Sequence, residues 1–178
     1  MPAIRALGET VPILRALVAT PSVNPDQVDD PATNSDCGEL RMAEALYKRF
    51  QALGADEAII DDGDTSPGRP NVMGIWRAHP TARAPRWLGI DVHMDTVAVK
   101  GMTPHPPFGA VVTVVKEEGS ETKGEVKIHG RGACDTKACL ISQCCTCISY
   151  THTHTHTLSL SLSLSLSHTH THTHTHTR

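Results

Sequence analysis

The sequence His129-Gly130-Arg131-Gly132-Ala133-Cys134-Asp135-Thr136-Lys137 closes a short run, Val126 to His129, that reads as a strand. Its two glycines permit a tight turn that a side chain would block. Asp135 then falls in the loop beyond the strand end. A carboxylate has two oxygens and can bridge two metal ions, as two-metal hydrolytic sites require. An ordinary turn for the glycines and a helix cap for Asp135 are the plainer roles open to the same residues. A second strand end lies upstream, at Asp91-Val92-His93-Met94-Asp95-Thr96-Val97. His93 and Asp95 are two apart, so on an extended chain they point to the same side. A neutral imidazole is a good zinc ligand, and a neighbouring carboxylate orients it and raises its basicity. A partly buried histidine paired with a surface aspartate accounts for this motif equally well.

Helices and strands alternate ahead of these two ends. The spacing predicts a helix over 11–19, with Thr10 as cap, Pro12 in the first turn and Leu14, Leu17 and Val18 on one face. Thr20-Pro21-Ser22-Val23-Asn24-Pro25 breaks it, and residues 26–35 are polar and loop-like. A second helix is expected from a capping pair, Asp36 and Glu39, followed by Leu40, Ala43, Leu46, Tyr47, Phe50 and Leu53 at helical spacing. Gly54 is placed as its stop. Strands are expected at 55–61, 71–76, 87–92, 111–115 and 126–129. Loops are expected at Asp62-Gly63-Asp64, at Pro67-Gly68, from His79 to Pro85 and from Lys116 to Gly124. Mostly apolar strands following helices suggest an α/β layered domain. Ligands in such folds collect where strands end and loops begin, here the ends of the third and fifth strands.

The totals narrow the function. The chain has 178 residues, 39% hydrophobic and 20% charged, with a net charge of -3. Lys and Arg number 16 against 19 Asp and Glu, which argues against a nucleic-acid partner. No apolar run approaches a membrane span. The start, Met1 to Glu9, has a glycine and an acid where a signal peptide needs an apolar stretch, so a cytoplasmic, reducing setting is expected.

The totals also hide a split. Of the 12 histidines only His79, His93, His105 and His129 precede residue 151, and all 19 acidic residues lie at or before Asp135. Residues 151–178 alternate Thr with His, then Leu with Ser from Leu158 to Ser167, then His with Thr. A dinucleotide repeat in DNA encodes an alternating residue pair, AC giving Thr-His and CT giving Leu-Ser. Translated microsatellite DNA is the plainest explanation, and such a tail is expected to be unfolded. The same alternation is also the strand period, able to pair at an edge or aggregate, and the histidines at every second position could bind metal. Cys144-x-x-Cys147 has zinc-ligand spacing but lacks the second pair that a structural site needs. The six cysteines show no disulfide framework, since Cys37 is isolated and the others cluster.

Taken in order, these motifs resemble the M20 family of metallohydrolases, which includes acetylornithine deacetylase, succinyl-diaminopimelate desuccinylase, aminoacylase and glutamate carboxypeptidase. The resemblance runs over residues 10–140. It rests on Ala19-Thr20-Pro21-Ser22-Val23-Asn24-Pro25, Arg69-Pro70-Asn71-Val72, His93-x-Asp95-x-Val97, Pro106-Pro107-Phe108 and the stretch from Gly130 to Lys137. It implies a truncated three-layer αβα zinc-peptidase-like catalytic domain over 1–140, followed by a low-complexity tail over 141–178. By the same resemblance His93 would be a terminal ligand of one zinc, and Asp95 the catalytic residue that orients and tunes it. Asp135 would bridge both zincs, and the Asp135–Thr136 peptide would be cis. The bridging water would attack the amide carbonyl of an N-acyl amino acid or small peptide, with a downstream glutamate as general base. The family's lid and dimerisation domain would help close the site. Val99-Lys100-Gly101-Met102-Thr103 and Gly132 to Lys137 look most like the acetylornithine deacetylase and desuccinylase branch.

The family pattern continues past Asp135 with a Glu-Glu pair, a further acidic ligand and a final histidine. No Asp or Glu follows Asp135 in this chain, and the small-residue helix begins Ala138-Cys139-Leu140 and is then lost. Removing a catalytic base alone costs a factor of ~10²–10⁴. The expectation is therefore a hydrolase by family whose 178-residue chain binds zinc weakly, is inactive, lacks the dimerisation domain and leaves an edge strand and an apolar face uncovered. A His/Cys-rich metal-binding protein and a non-functional product of a gene-prediction error are the competing readings.

Overall fold

A computed structural model of the chain describes residues 2–29, 31, 34–62, 69–78, 86–116, 124–142 and 158–164. The described elements are helices α1 (Pro2–Val18) and α2 (Leu40–Ala52), and strands β1 (Glu57–Asp61), β2 (Asn71–Trp76), β3 (Arg86–Asp91), β4 (Val111–Val114), β5 (Val126–His129) and β6 (Leu158–Leu164). A 3-10 turn covers Pro25–Gln27, and a wide helical turn covers Ala133–Ala138. The fold class is α/β, as expected. The loops expected at 63–68, 79–85 and 117–123 and the Cys144-x-x-Cys147 pair lie outside the described residues.

Helix α2 follows the sequence pattern closely. Met42, Ala43, Leu46 and Phe50 recur at helical spacing and form its buried face. Gly54, at φ 73°, takes the left-handed conformation that ends the helix. Its start differs from expectation. Glu39 occupies the N-cap position, yet its side chain makes no cap bond. The carboxylate instead accepts from Arg69 Nε at 3.3 Å. A fully buried carboxylate gains more from a guanidinium than from one backbone N–H, so the expected Asp36–Glu39 capping pair does not form. Helix α1 also departs from expectation, starting at Pro2 and carrying Pro12 inside it. Pro2 suits a first helical position, and Ala3, Arg5, Ala6 and Leu7 are strong helix formers that override the local start signal at Thr10.

The main sheet runs β1-β2-β6-β3. β1 and β2 are antiparallel, with Glu57 opposite Ile75 and Asp61 opposite Asn71. β6 lies antiparallel to β2 and parallel to β3. β4 and β5 form a separate antiparallel pair. The core joins Leu17 of α1, the buried face of α2, Val72 and Trp76 of β2, Met94, Leu140 and Ile141. Phe50 meets Trp76 edge to face, with ring centroids 5.7 Å apart. Apolar surface does remain open: Trp87 on β3 is 59% exposed, and Leu88, Val112, Val114 and Val126 are also exposed.

The tail differs from its composition-based expectation where it is described. Ile141 is buried in the core, and the helical segment runs to residue 142. Residues 158–164, expected to be unfolded, form a strand inside the sheet and not at its edge. The physical reason is that Leu-Ser alternation matches the two-residue period of a strand, and the backbones of β2 and β3 supply partners on both sides. No helix among the described residues is long and apolar enough to cross a membrane.

The Glu39–Arg69 pair gives the first test. Glu39 is 0% exposed, and its carboxyl is held above the usual range by burial, with Arg69 opposing that shift. Arg69→Met strands this carboxylate and is expected to cost about 3 kcal/mol in urea denaturation. Asp26→Asn removes the other, largely exposed partner of Arg69 and is expected to cost less than about 1 kcal/mol.

Candidate metal centre

The first strand end is fixed by the segment that leaves α1. Beyond β3, Thr96 N–H donates to Ser22 O at 2.8 Å and Asn24 N–H donates to Thr96 O at 2.8 Å. The Ser22 hydroxyl donates to Met94 O at 2.8 Å. Asp95, held inside this clamp, is buried. Its Oδ2 accepts from Asn24 Nδ2 at 2.9 Å, and its Oδ1 lies 3.1 Å from His93 Nδ1. The backbone oxygen of Asp95 is also 3.1 Å from that nitrogen. Both neighbours of Nδ1 are acceptors, so Nδ1 carries the proton and donates. The lone pair of a neutral His93 is therefore on Nε2.

The second strand end is fixed by its glycines. Gly132 has φ 78°, a conformation that disfavours any Cβ, and a Cβ there would come within 2.8 Å of Thr96 Cγ2. At Gly130 a Cβ would lie 2.3 Å from Val18 Cγ1 and 3.0 Å from Pro107 O. The turn therefore packs directly on α1 and on the 106–110 loop, where Arg131 N–H donates to Pro107 O at 2.6 Å. The chain then passes through Asp135, whose peptide bond to Thr136 is cis. The Thr136 hydroxyl donates to His93 O at 2.5 Å, tying the two strand ends together. Lys137 turns back into the protein, 1% exposed, and its Nζ donates to Thr20 O at 2.8 Å.

These constraints bring His93 Nε2 and Asp135 Oδ1 to 3.1 Å. Three residues singled out in the sequence, His93, Asp95 and Asp135, thus stand in one line from a buried carboxylate to an exposed one. Asp135 is 83% exposed at its side chain, against 6% for Asp95. The contact sets a requirement. A neutral imidazole lone pair and a carboxylate oxygen are both acceptors, and they repel unless a proton or a cation lies between them. Zinc bonds of about 2.0–2.2 Å to nitrogen and oxygen put two ligands of one tetrahedral ion about 3.3 Å apart. The donor set fits a cation, though only as part of a site: no group of three or more His, Cys, Asp or Glu that could hold a metal occurs among the described residues.

The space around the pair is small. A cavity of about 100 Å³ is bounded by Asn24, Gln27, His93, Arg131 and Asp135, among others. Organic ligands occupy roughly 300–1,000 Å³, so this cavity suits an ion with its water and lacks walls for a peptide. Arg131 Nη2 donates to Ala98 O at 2.8 Å, while its Nε is buried without a partner among the described residues. Sequence reasoning assigned no role to Asn24, Thr136 or Lys137. A proline after Asn24 and a small-residue helix beginning at Ala138 were the local signals present, and neither points at the partners these residues find.

No family model and no curated protein matches the chain by sequence. Solved structures do match it. The M20 family metallo-carboxypeptidase Sso-CP2 from Sulfolobus solfataricus is similar with a TM-score of 0.64 over 88% of this chain and 30% of its own, at 20% identity. The di-peptidase Dug1p from Saccharomyces cerevisiae gives 0.59 over 89% and 32%, at 12% identity. Human carnosine dipeptidase 1 gives 0.58 over 89% and 32%, at 20% identity. The fold is that of part of an M20 metallopeptidase, and the chain spans about a third of the length of the structures it matches.

Lys137 yields a pH test. Burial pushes its ammonium down to about 7 from an ordinary 10.5. Between those values the unfolded chain binds more protons than the folded one, so stability rises with pH across that window and is flat below it. The slope is at most about 1.4 kcal/mol per pH unit. Denaturation of the parent from pH 7 to 9 is expected to show this rise, and Lys137→Met to abolish it.

Proposed function

We propose that this chain carries part of a two-zinc amidohydrolase centre of the M20 type, with His93 and Asp135 as ligands and Asp95 as the group that orients His93. The observation that carries the reading is the 3.1 Å approach of His93 Nε2 to Asp135 Oδ1, a contact that a proton or a cation would satisfy and that matches the spacing of two ligands on one zinc. Zinc at such a centre would polarise an amide carbonyl and lower the pKa of water. The chain's own residues supply the rest of what is present. Asp95 fixes the His93 tautomer and stiffens the ring, and Asn24 in turn holds Asp95. Asp135 offers an exposed carboxylate with one oxygen beside His93 and a second free to reach another ion.

The proposed substrates are small peptides or N-acyl amino acids, in the manner of acetylornithine deacetylase. The similar structures include a carboxypeptidase and dipeptidases, which supports the small-peptide half of that class. A reducing, cytoplasmic location agrees with the free cysteines Cys37, Cys134 and Cys139. With no acid after Asp135 to complete the ligands or act as base, the 178-residue chain is proposed to be inactive in hydrolysis.

Zinc titration by calorimetry tests the ligand set. One weak site is expected in the full chain, lost in His93→Ala and in Asp135→Ala and weakened ~10–100-fold in Asp95→Asn. Zinc uptake that survives the first two changes and disappears when the tail histidines are replaced would move the assignment to a His/Cys-rich metal binder. Assays on N-acetyl amino acids and dipeptides are expected to show no zinc-dependent turnover, and measurable turnover would overturn the inactive assignment.

A further inference from the structure

Among the described strands, β3 has a single hydrogen-bonded neighbour, and that neighbour is β6. All six β3 residues pair with it in parallel, from Arg86 opposite Leu158 to Asp91 opposite Ser163. On its other edge β6 pairs with β2, from Val72 opposite Leu164 to Trp76 opposite Leu160. A repeat of two residue types thus fills a central position in the sheet. Without it, the facing edges of β2 and β3 would present unpaired N–H and C=O groups. The strand that leads into His93 and Asp95 would lose its place in the sheet.

The residues that fill this position carry no individual information. Residues 158–164 read Leu-Ser-Leu-Ser-Leu-Ser-Leu, and so do residues 160–166. Side chains alternate across a sheet with period 2, so a two-residue shift returns each residue type to the face it had, and a one-residue shift exchanges the faces. A leucine stands opposite Val72, Gly74 and Trp76 of β2 and opposite Leu88 and Ile90 of β3, and a two-residue shift would keep it so. A serine stands opposite Met73 and Ile75, and would do so after the same shift. A shift the other way would instead bring His156 and Thr157 into the ladder.

We infer that the slot between β2 and β3 is a strand-acceptor site that selects a peptide of alternating leucine and small polar residues by its period alone. This chain fills the slot with its own repeat, and the pairing tolerates a two-residue slip of that repeat as well as the register seen. The inference rests on the strand pairing and not on the metal centre, so it stands or falls apart from the zinc titration.

Cross-linking reads the register. In the full chain with its six native cysteines replaced by serine, Met73→Cys is combined in turn with Ser163→Cys, Ser165→Cys or Leu164→Cys and oxidised at low protein concentration. Intramolecular disulfides through 163 and 165 are expected in yields within about threefold of each other, and through 164 at least about tenfold lower. A disulfide at 163 alone would establish one register and overturn the inference. So would equal yields at all three positions, no disulfide at any, or bonds only between copies. Amide exchange of residues 86–91 covers the chance that the cysteine variants misfold. Ser161→Pro, which removes a central-strand donor, is expected to speed that exchange tenfold or more. Deleting one Leu-Ser pair is expected to leave it unchanged. Unaltered protection in Ser161→Pro, or lost protection on deleting the pair, would each overturn the inference.

Discussion

Two backbone hydrogen bonds, from Thr96 N–H to Ser22 O and from Asn24 N–H to Thr96 O, join the end of α1 to the end of β3. The same three-residue segment reaches a third element. Val23 N–H donates to Asp36 O, and Gly38 N–H donates to Val23 O, so the approach to α2 is tied in as well. Ser22, Asn24, Asp95 and Thr96 are all buried here. Leaving one such donor or acceptor unpaired would cost roughly 1–3 kcal/mol. Asn24 has no rotational choice within this network, because its amide nitrogen donates to Asp95 and its amide oxygen accepts from Asp26 N–H. The position of the His93 ring is thus inherited from backbone pairing two steps away from it.

The second strand end is held by exclusion more than by attraction. Val18, Pro107 and Thr96 leave no room for a Cβ at Gly130 or Gly132. Only that close packing lets the Thr136 hydroxyl reach the His93 carbonyl. The result is a 3.1 Å approach of His93 Nε2 to an exposed carboxylate, with a buried carboxylate behind the ring fixing Nδ1 as the protonated nitrogen.

Much of this was legible in the sequence where the signal was local. The face of α2, its Gly54 stop, the strand positions and the two strand ends all follow from spacing or turn chemistry within a few residues. The two strand ends were picked out by the rule that ligands gather there, and the resemblance to the M20 family implied that His93 and Asp135 meet. Other features depend on distant partners. Asn24 acts on a residue 71 positions away, and Lys137 on one 117 away. Glu39 gave a correct-looking capping signal, but Arg69 lies 30 positions off and outcompeted the local backbone. The start of α1 was misread because Thr10 and Pro12 form a plausible start signal inside a segment that is helix-forming before it.

The tail carries the opposite lesson. Composition alone described 151–178 as devoid of specific content, yet residues 158–164 take a strand position that asks for little more than alternation and two free backbone edges. The match would have a consequence at the level of the gene, were the tract the CT repeat that its alternation points to. Read in any of its three frames, a CT repeat gives only CTC and TCT, hence leucine and serine in turn. Replication slippage in such a tract, even by a step that shifts the reading frame, changes the number of alternating pairs without breaking their order. Encoded by such a repeat, a sheet position of this kind would tolerate a change in repeat number without loss of its pattern.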